Sequence, residues 1–466
     1  MKRNSSNSHR KAHKAQIIFS AVLCILCLFV PTTFAQQPDA VQLFEQVATL
    51  IRDNRLAEAE KELAAVLKVD PNLPIALNFM GTIRAKQGRM LEAETLFTRA
   101  VRSDKNFTGA RMNLVYLYLI KRTPDKAILQ LKEILAVEPE HPEATEKLAE
   151  LLFSQGRFDE CISFIEKQRA AHAVPAALLV ILGDAYLAKN DQSKAEEYFL
   201  AALEGRLDNA GALFGLAQLS RMKGETKEAM IYLSRVATLT ADSKSPEFLY
   251  RFGLEAMRVE MFDEAKSALQ RAVELQPRDA SYLLALGIAW LRKTDLFEAE
   301  KLFRRVLQIE PGNAQGQLHL GYTLLTGKKF DEARLWLEKS VRSGVDTPEV
   351  FYYLGLVAQE QNDSARAITF FEKAVQKLPS YVHARVALGS SYMRLKDYTR
   401  ARQELETAVK LDPNEPTAHY NLALLYARTK EPAKAQEQMR IVETLKTGRR
   451  STSGVVVLPP SSTPNF

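Results

Sequence analysis

The sequence predicts an all-α solenoid of about twelve two-helix units in tandem, and three observations carry that reading. Alanine recurs at a spacing of 34 residues, at Ala59, Ala93, Ala127, Ala195 and Ala229. After one two-residue insertion it continues at Ala265, Ala299, Ala333, Ala367, Ala401 and Ala435, and the series misses only at Cys161, itself small. Twelve residues ahead of each alanine lies a second small slot, filled by Gly81, Ala149, Gly183, Ala217, Gly253, Gly287, Gly321, Gly355, Gly389 and Ala423. Only Val47 and Val115 depart from it. Between the small slots, apolar residues fall at i, i+3, i+4 and i+7, the period of an amphipathic helix. Self-similarity at a fixed period overrides a domain count drawn from the 466-residue length.

Taken in chain order, the first 35 residues read as an export signal or an N-terminal membrane anchor. Lys2, Arg3, Arg10, Lys11 and Lys14 form a basic start with no acidic residue in positions 1–35. The apolar run Ile17 to Val30 is short for a spanning helix, and Thr33-Phe34-Ala35 offers a cleavage site before Gln36. The units follow at 40–73, 74–107, 108–141, 142–175, 176–209 and 210–243, then, past the insertion at Ser243–Ser245, at 246–279, 280–313, 314–347, 348–381, 382–415 and 416–449. This gives two runs of six, 40–243 and 246–449. Gly88, Gly156, Gly224, Asn54, Asn190 and Asn362 mark the turn within a unit, where a left-handed residue closes a helix. Pro74, Pro142, Pro246, Pro348 and Pro416 open first helices, where a missing N–H leaves nothing unpaired. Glycine and alanine let the two helix backbones of a unit cross closely. Residues 450–466 break the pattern and read as a disordered tail, small and polar apart from Val455–Leu458.

Composition excludes several function classes. Apolar residues at 46% and charged residues at 26% describe an ordinary folded chain, not a disordered or multispanning one. Three cysteines, two of them in the N-terminal apolar run, rule out a disulfide scaffold. The net charge of +7 falls to +2 without the five basic residues of the leader, which leaves a nucleic-acid reading unsupported.

These slots resemble the tetratricopeptide repeat family over about 410 of the 466 residues. The unit from Ala280 shows it well, with Leu283, Leu286-Gly287, Trp290, Ala299, Phe303 and Pro311. The resemblance implies a right-handed superhelical solenoid whose first helices line a concave groove, and a scaffold that binds partner peptides or helices there. The first unit carries Gln46-Val47 in place of an apolar-small pair, which suits a terminal capping repeat.

The family's geometry turns positions 2, 5, 9, 12 and 13 of each first helix toward that groove. Here they give Met112, Tyr116, Phe153, Phe214, Tyr250 and Met257, followed by Leu284, Leu318, Tyr322, Tyr352, Met393 and Tyr420. A lining of aromatics and methionines suits an extended peptide or an amphipathic helix, since such side chains adapt and bury large areas. The other reading of any one of them is packing within the solenoid. Position 13 is basic at Arg52, Lys86, Arg258, Arg292, Arg394 and Arg428, which reads either as a cationic rim for acidic ligands or as a solvated position. Glu143, Glu146 and Glu150 lie on one helix face and read as a solvated stripe. No unit pairs Lys at position 5 with Asn at 9, so a carboxylate clamp for an acidic C-terminus is not expected.

Nothing points to catalysis, a cofactor or a metal. Cys161 fills an alanine slot and reads as buried structure. His141, His172, His319, His383 and His419 are scattered over different units without ligand spacing, and no nucleophile-elbow or phosphate-loop motif occurs. The expected protein is therefore an exported, non-enzymatic scaffold, periplasmic or extracellular after cleavage or held in the inner membrane by an uncleaved signal. Its partners are other proteins, envelope or secretion-complex components among them. One alternative within the same fold is the scaffold of an exopolysaccharide or protein export complex, and an alternative of another class is a recruitment arm for a separate glycosyltransferase.

Overall fold

A computed structural model describes residues 38–204 and 207–449; the leader and tail readings fall outside them. The described residues form twenty-four α-helices and no strand, so the protein is an all-α solenoid of helix-turn-helix repeats. It divides into two compact units, Met1–Leu219 and Ser220–Phe466. The first holds α1 (Pro38–Arg52), α2 (Leu56–Val69), α3 (Pro74–Lys86), α4 (Met90–Ser103), α5 (Thr108–Ile120), α6 (Pro124–Val137), α7 (Pro142–Ser154) and α8 (Phe158–Ala171). It continues through α9 (Ala176–Ala188) and α10 (Gln192–Ala201), and the division falls within α11 (Ala210–Met222). The second holds α12 (Thr226–Leu239), α13 (Pro246–Arg258), α14 (Phe262–Leu275), α15 (Ala280–Arg292), α16 (Leu296–Ile309), α17 (Ala314–Thr326) and α18 (Phe330–Arg342). Its last helices are α19 (Pro348–Glu360), α20 (Ser364–Lys377), α21 (Val382–Arg394), α22 (Tyr398–Leu411), α23 (Pro416–Arg428) and α24 (Pro432–Arg449).

The two small slots do the same steric work in most repeats. A Cβ added at Gly81 would stand 2.6 Å from the Phe97 ring, and one at Gly183 2.6 Å from the Phe199 ring. Gly253, Gly321 and Gly389 meet Leu269, Leu337 and Leu405 in the same way, always sixteen residues on. The large side chain of the second helix thus occupies the space that the glycine of the first leaves open. The alanine slots from Ala59 to Ala401 have no solvent exposure, and Cys161 in the same register lies 3.5 Å from the Ala149 carbonyl. A longer side chain there would drive the helices apart. Val47 and Val115 are also fully buried, so the second slot accepts a branched side chain in those two repeats.

The turn inside each repeat is left-handed throughout. Asn54, Gly88, Gly156, Asn190, Gly224 and Asn362 have positive φ, as the turn signals predict. The same slot is left-handed at Arg122, Glu260, Thr294, Lys328, Lys396 and Lys430, where no glycine or asparagine announces it. The flanking bonds explain why. Arg55 N donates to Leu50 O at 2.8 Å and Asp295 N to Trp290 O at 3.0 Å, each beside a shorter-range bond from the left-handed residue. This Schellman pattern satisfies the terminal carbonyls of the first helix and imposes αL on whichever residue stands there.

Within the second unit, the insertion is pinned in place: Ser245 Oγ accepts from Phe248 N and caps α13, while Ser243 O accepts from Arg271.

Candidate functional site

In the first unit, the N-terminal helices of successive repeats, α1, α3, α5 and α7, together enclose a groove of about 1120 Å³. Its apolar surface comes from Phe44 on α1, Ile75 and Phe79 on α3, Phe107 at the N-cap of α5 and Met112 on α5. Phe44 and Phe79 stack with ring centroids 6.0 Å apart, so the repeat period that aligns the helices also aligns their aromatic rings. Tyr116 stands one turn along α5 from Met112, and its hydroxyl donates to Glu143 Oε1 at the start of α7. Burial and that carboxylate push the Tyr116 phenol well above its ordinary value of 10, so it stays a hydrogen-bond donor.

The polar lining is mixed but predominantly acidic. Asn113 Nδ2 donates to Asn78 Oδ1 at 2.8 Å, a buried bridge between α5 and α3. Glu45 on α1, Glu138 and Glu140 in the connection before α7, and Glu143 contribute four carboxylates, against one guanidinium, Arg52. His141 caps α7, its Nδ1 accepting from Ala144 N at 3.3 Å, and His172 Nε2 lies 3.2 Å from Glu140. Glu143 is therefore a half-buried groove residue and not part of a solvated stripe, because Tyr116 binds it. Glu150 does face outward, paired with Lys147 at 2.7 Å.

Of the groove residues read from the sequence, Met112 and Tyr116 line this cavity. The lining uses positions 2, 5, 9 and 13 of the first helices, but also position 6, through Glu45, Phe79 and Asn113, position 10, through Thr49, and position 1, through Thr108 and Pro142. The remaining candidates lie elsewhere. Phe153 packs on Phe158 across its own turn at 5.5 Å, and Phe214 is buried within α11 packing. In the second unit, Tyr250 packs on Tyr282 at 4.9 Å, Met257 is half-buried, Leu284, Leu318 and Met393 are buried, and Tyr420 is exposed. Tyr322 packs on Tyr353 at 4.7 Å and Tyr352 on Tyr381 at 5.3 Å, so these tyrosines pack against one another.

The basic residues at position 13 are not alike. Arg258 donates to the nearly fully buried Glu255 at 2.7 Å, which also accepts from Arg221. Arg292 is half-buried, and burial draws its pKa down from 12.5. Arg394 and Arg428 are exposed.

Cys161 is buried, and burial alone pushes its thiol up to about 11, which keeps it protonated and unreactive at neutral pH. Among the described residues no group of three or more His, Cys, Asp or Glu is placed to hold a metal, and no helix is long and apolar enough to cross a membrane.

Comparison with known proteins agrees with this architecture. Profiles described as tetratricopeptide repeat match residues 44–106, 119–181, 180–246, 250–314, 291–359 and 349–381, and one described as TPR repeat matches 389–430. Cellulose synthase operon protein C of Xanthomonas axonopodis pv. citri (strain 306) is 25% identical over 244 residues, 52% of this chain and 14% of the relative. DnaJ homolog subfamily C member 3 of Homo sapiens is 21% identical over 258 residues, 50% of this chain and 51% of the relative. The chain thus spans about half or less of the length of these curated relatives. A solved tetratricopeptide repeat protein from Parabacteroides merdae ATCC 43184 is 17% identical, covering 54% of this chain and 98% of its own, with a TM-score of 0.44. With matches running from residue 44 to 430, the chain belongs to the tetratricopeptide repeat family.

Proposed function

We propose that this protein is a non-catalytic scaffold that binds a segment of a partner protein, peptide or helix, in the groove of its first compact unit. The observation that carries the reading is the cavity of about 1120 Å³ floored by Phe44, Phe79, Phe107 and Met112. Burying apolar surface there is worth about 25 cal/mol per Å², so a few anchoring side chains supply micromolar affinity. Four helices, seated on their partner helices through the small slots Gly81 and Ala149 and the buried Val47 and Val115, pre-form the groove, which lowers the ordering cost of binding.

The proposed setting is the cell envelope. It rests on the basic start and apolar run of residues 1–35. Sequencing the N-terminus of the mature protein tests it: a start at Gln36 supports cleavage and release, and a start at Met1 supports an anchor. Similarity to cellulose synthase operon protein C over half of this chain favours a second reading, in which the scaffold serves an exopolysaccharide export complex. Co-purifying glycan would support that version.

Site-specific crosslinking tests the binding site. A photoreactive residue at Thr49, on the groove wall, should give a discrete crosslinked partner in the source cells, whereas one at the exposed Leu91 should not. Identical products from both positions, or none from Thr49, would overturn the groove assignment.

A further inference from the structure

We infer that the groove of the first unit selects a cationic, apolar segment: a stretch of chain that brings Lys or Arg beside large apolar side chains. This rests on the groove being the binding site and adds what fills it. The acidic lining does not act alone; it borders an apolar floor, and the two together define the occupant's chemistry.

The lining carries more negative than positive charge. Glu45, Glu138, Glu140 and Glu143 carry four negative charges, and Arg52 one positive. The N-termini of α5 and α7 also face the groove through Thr108, Gly109 and Pro142, each worth about half a positive charge. The C-termini of α6 and α8, at Glu138 and His172, face it too with about half a negative charge each, so the helix ends cancel and roughly three negative charges remain. Asn78 and Asn113 are neutral and bonded to each other. An acidic segment would meet net repulsion here, and a purely apolar one would partly desolvate the carboxylates without bringing a counter-charge. A cationic segment removes both costs.

The arrangement fixes where the charges fall. Tyr116 holds Glu143 at the end of the aromatic floor, and Glu140 stands on the adjoining connection beside His172. Glu45 belongs to α1, one residue from the stacked Phe44. Apolar side chains of the occupant would therefore sit on Phe44, Phe79 and Met112, with its cations toward Glu140 and Glu143. A helix about 10 Å across has room for roughly two and a half turns in this volume.

The test uses the full chain and two labelled dodecapeptides, one of lysine and leucine at helical spacing and one with glutamate in place of lysine, read by fluorescence anisotropy. The lysine peptide should bind about tenfold or more tightly than the glutamate peptide. The triple variant Glu138→Gln, Glu140→Gln, Glu143→Gln should weaken it about tenfold. A control pair on α18, Asp331→Asn with Glu332→Gln, should leave affinity unchanged, and Phe79→Ala should weaken both peptides. Equal loss in the triple and control variants would overturn the proposal, since the peptide would then be following diffuse surface charge. Tighter binding of the glutamate peptide, still sensitive to Phe79→Ala, would overturn the cationic occupant while leaving the groove as the site. Binding of either peptide that ignores Phe79→Ala, or no binding at all, would overturn the inference, and would join a negative crosslinking result from Thr49 in removing the groove itself.

Discussion

Arg258 reaches back three residues along α13 to donate to Glu255, whose carboxylate is almost wholly buried and accepts a second guanidinium from Arg221. One member of the expected basic rim is therefore spent on internal charge balance. Glu255→Ala should destabilise the second unit by about 1–3 kcal/mol, because it removes a buried carboxylate shared by two arginines that solvent can still reach. Arg258→Ala should cost less, since Arg221 remains. Urea denaturation followed by circular dichroism checks both, and equal small losses below about 1 kcal/mol would show the pair to be inconsequential.

The small slots predict a difference in sign between two glycines. Gly81→Ala would press a methyl against the nearly fully buried Phe97 ring at 2.6 Å, at a cost of about 1–3 kcal/mol. Gly312→Ala meets nothing within 4 Å and should fall within about 0.5 kcal/mol of the parent or stabilise it by restricting the unfolded chain. Thermal unfolding of the two variants side by side distinguishes them.

Thr294 takes the left-handed turn at φ of +61° even though it is β-branched. Relief of that conformation should make Thr294→Gly more stable by about 1 kcal/mol, whereas the same change at Asn54 should gain little. A destabilised Thr294→Gly would mean that side-chain contacts outweigh the backbone preference.

His319 gives the fold a pH dependence. It stacks on Phe303 at 5.5 Å, and burial, with the Arg292 charge second, lowers its pKa from 6.5 to about 4. The unfolded chain therefore binds a proton between pH 6.5 and 4 that the folded chain refuses. This stabilisation is complete above 6.5, falls with pH by about 3 kcal/mol in total, and is gone below 4. Urea midpoints measured across that window should drop more steeply for the parent than for His319→Gln, the comparison cancelling the carboxylates. Parallel curves would contradict a neutral, buried His319.

The fold was readable because its period is set by steric contact at single positions. Gly81 and Ala93 sit where a larger side chain meets the facing helix, and small residues recur in those two registers in most repeats. The left-handed turns at Arg122, Glu260, Thr294, Lys328, Lys396 and Lys430 were not readable, since hydrogen bonds of the helix end impose them on residues with no such preference. Met112 and Tyr116 followed from the resemblance to the family, whose geometry turns positions 5 and 9 of a first helix toward the groove. Phe107, Glu138, Glu140 and His172 did not, because they come from connections and caps whose placement depends on how neighbouring repeats stack. Nor does spacing reveal that Tyr322 and Tyr352 pack on Tyr353 and Tyr381.

The central claim is that partners bind at the first unit's groove. Affinity capture from a cell-envelope extract tests it most directly, comparing the chain with two variants shown by circular dichroism to be folded. One carries Met112→Ala and Tyr116→Ala, the other Tyr322→Ala, Tyr352→Ala and Tyr420→Ala. The account predicts a partner retained by the second variant and lost from the first. A partner lost only from the second, or retained by both, would contradict it.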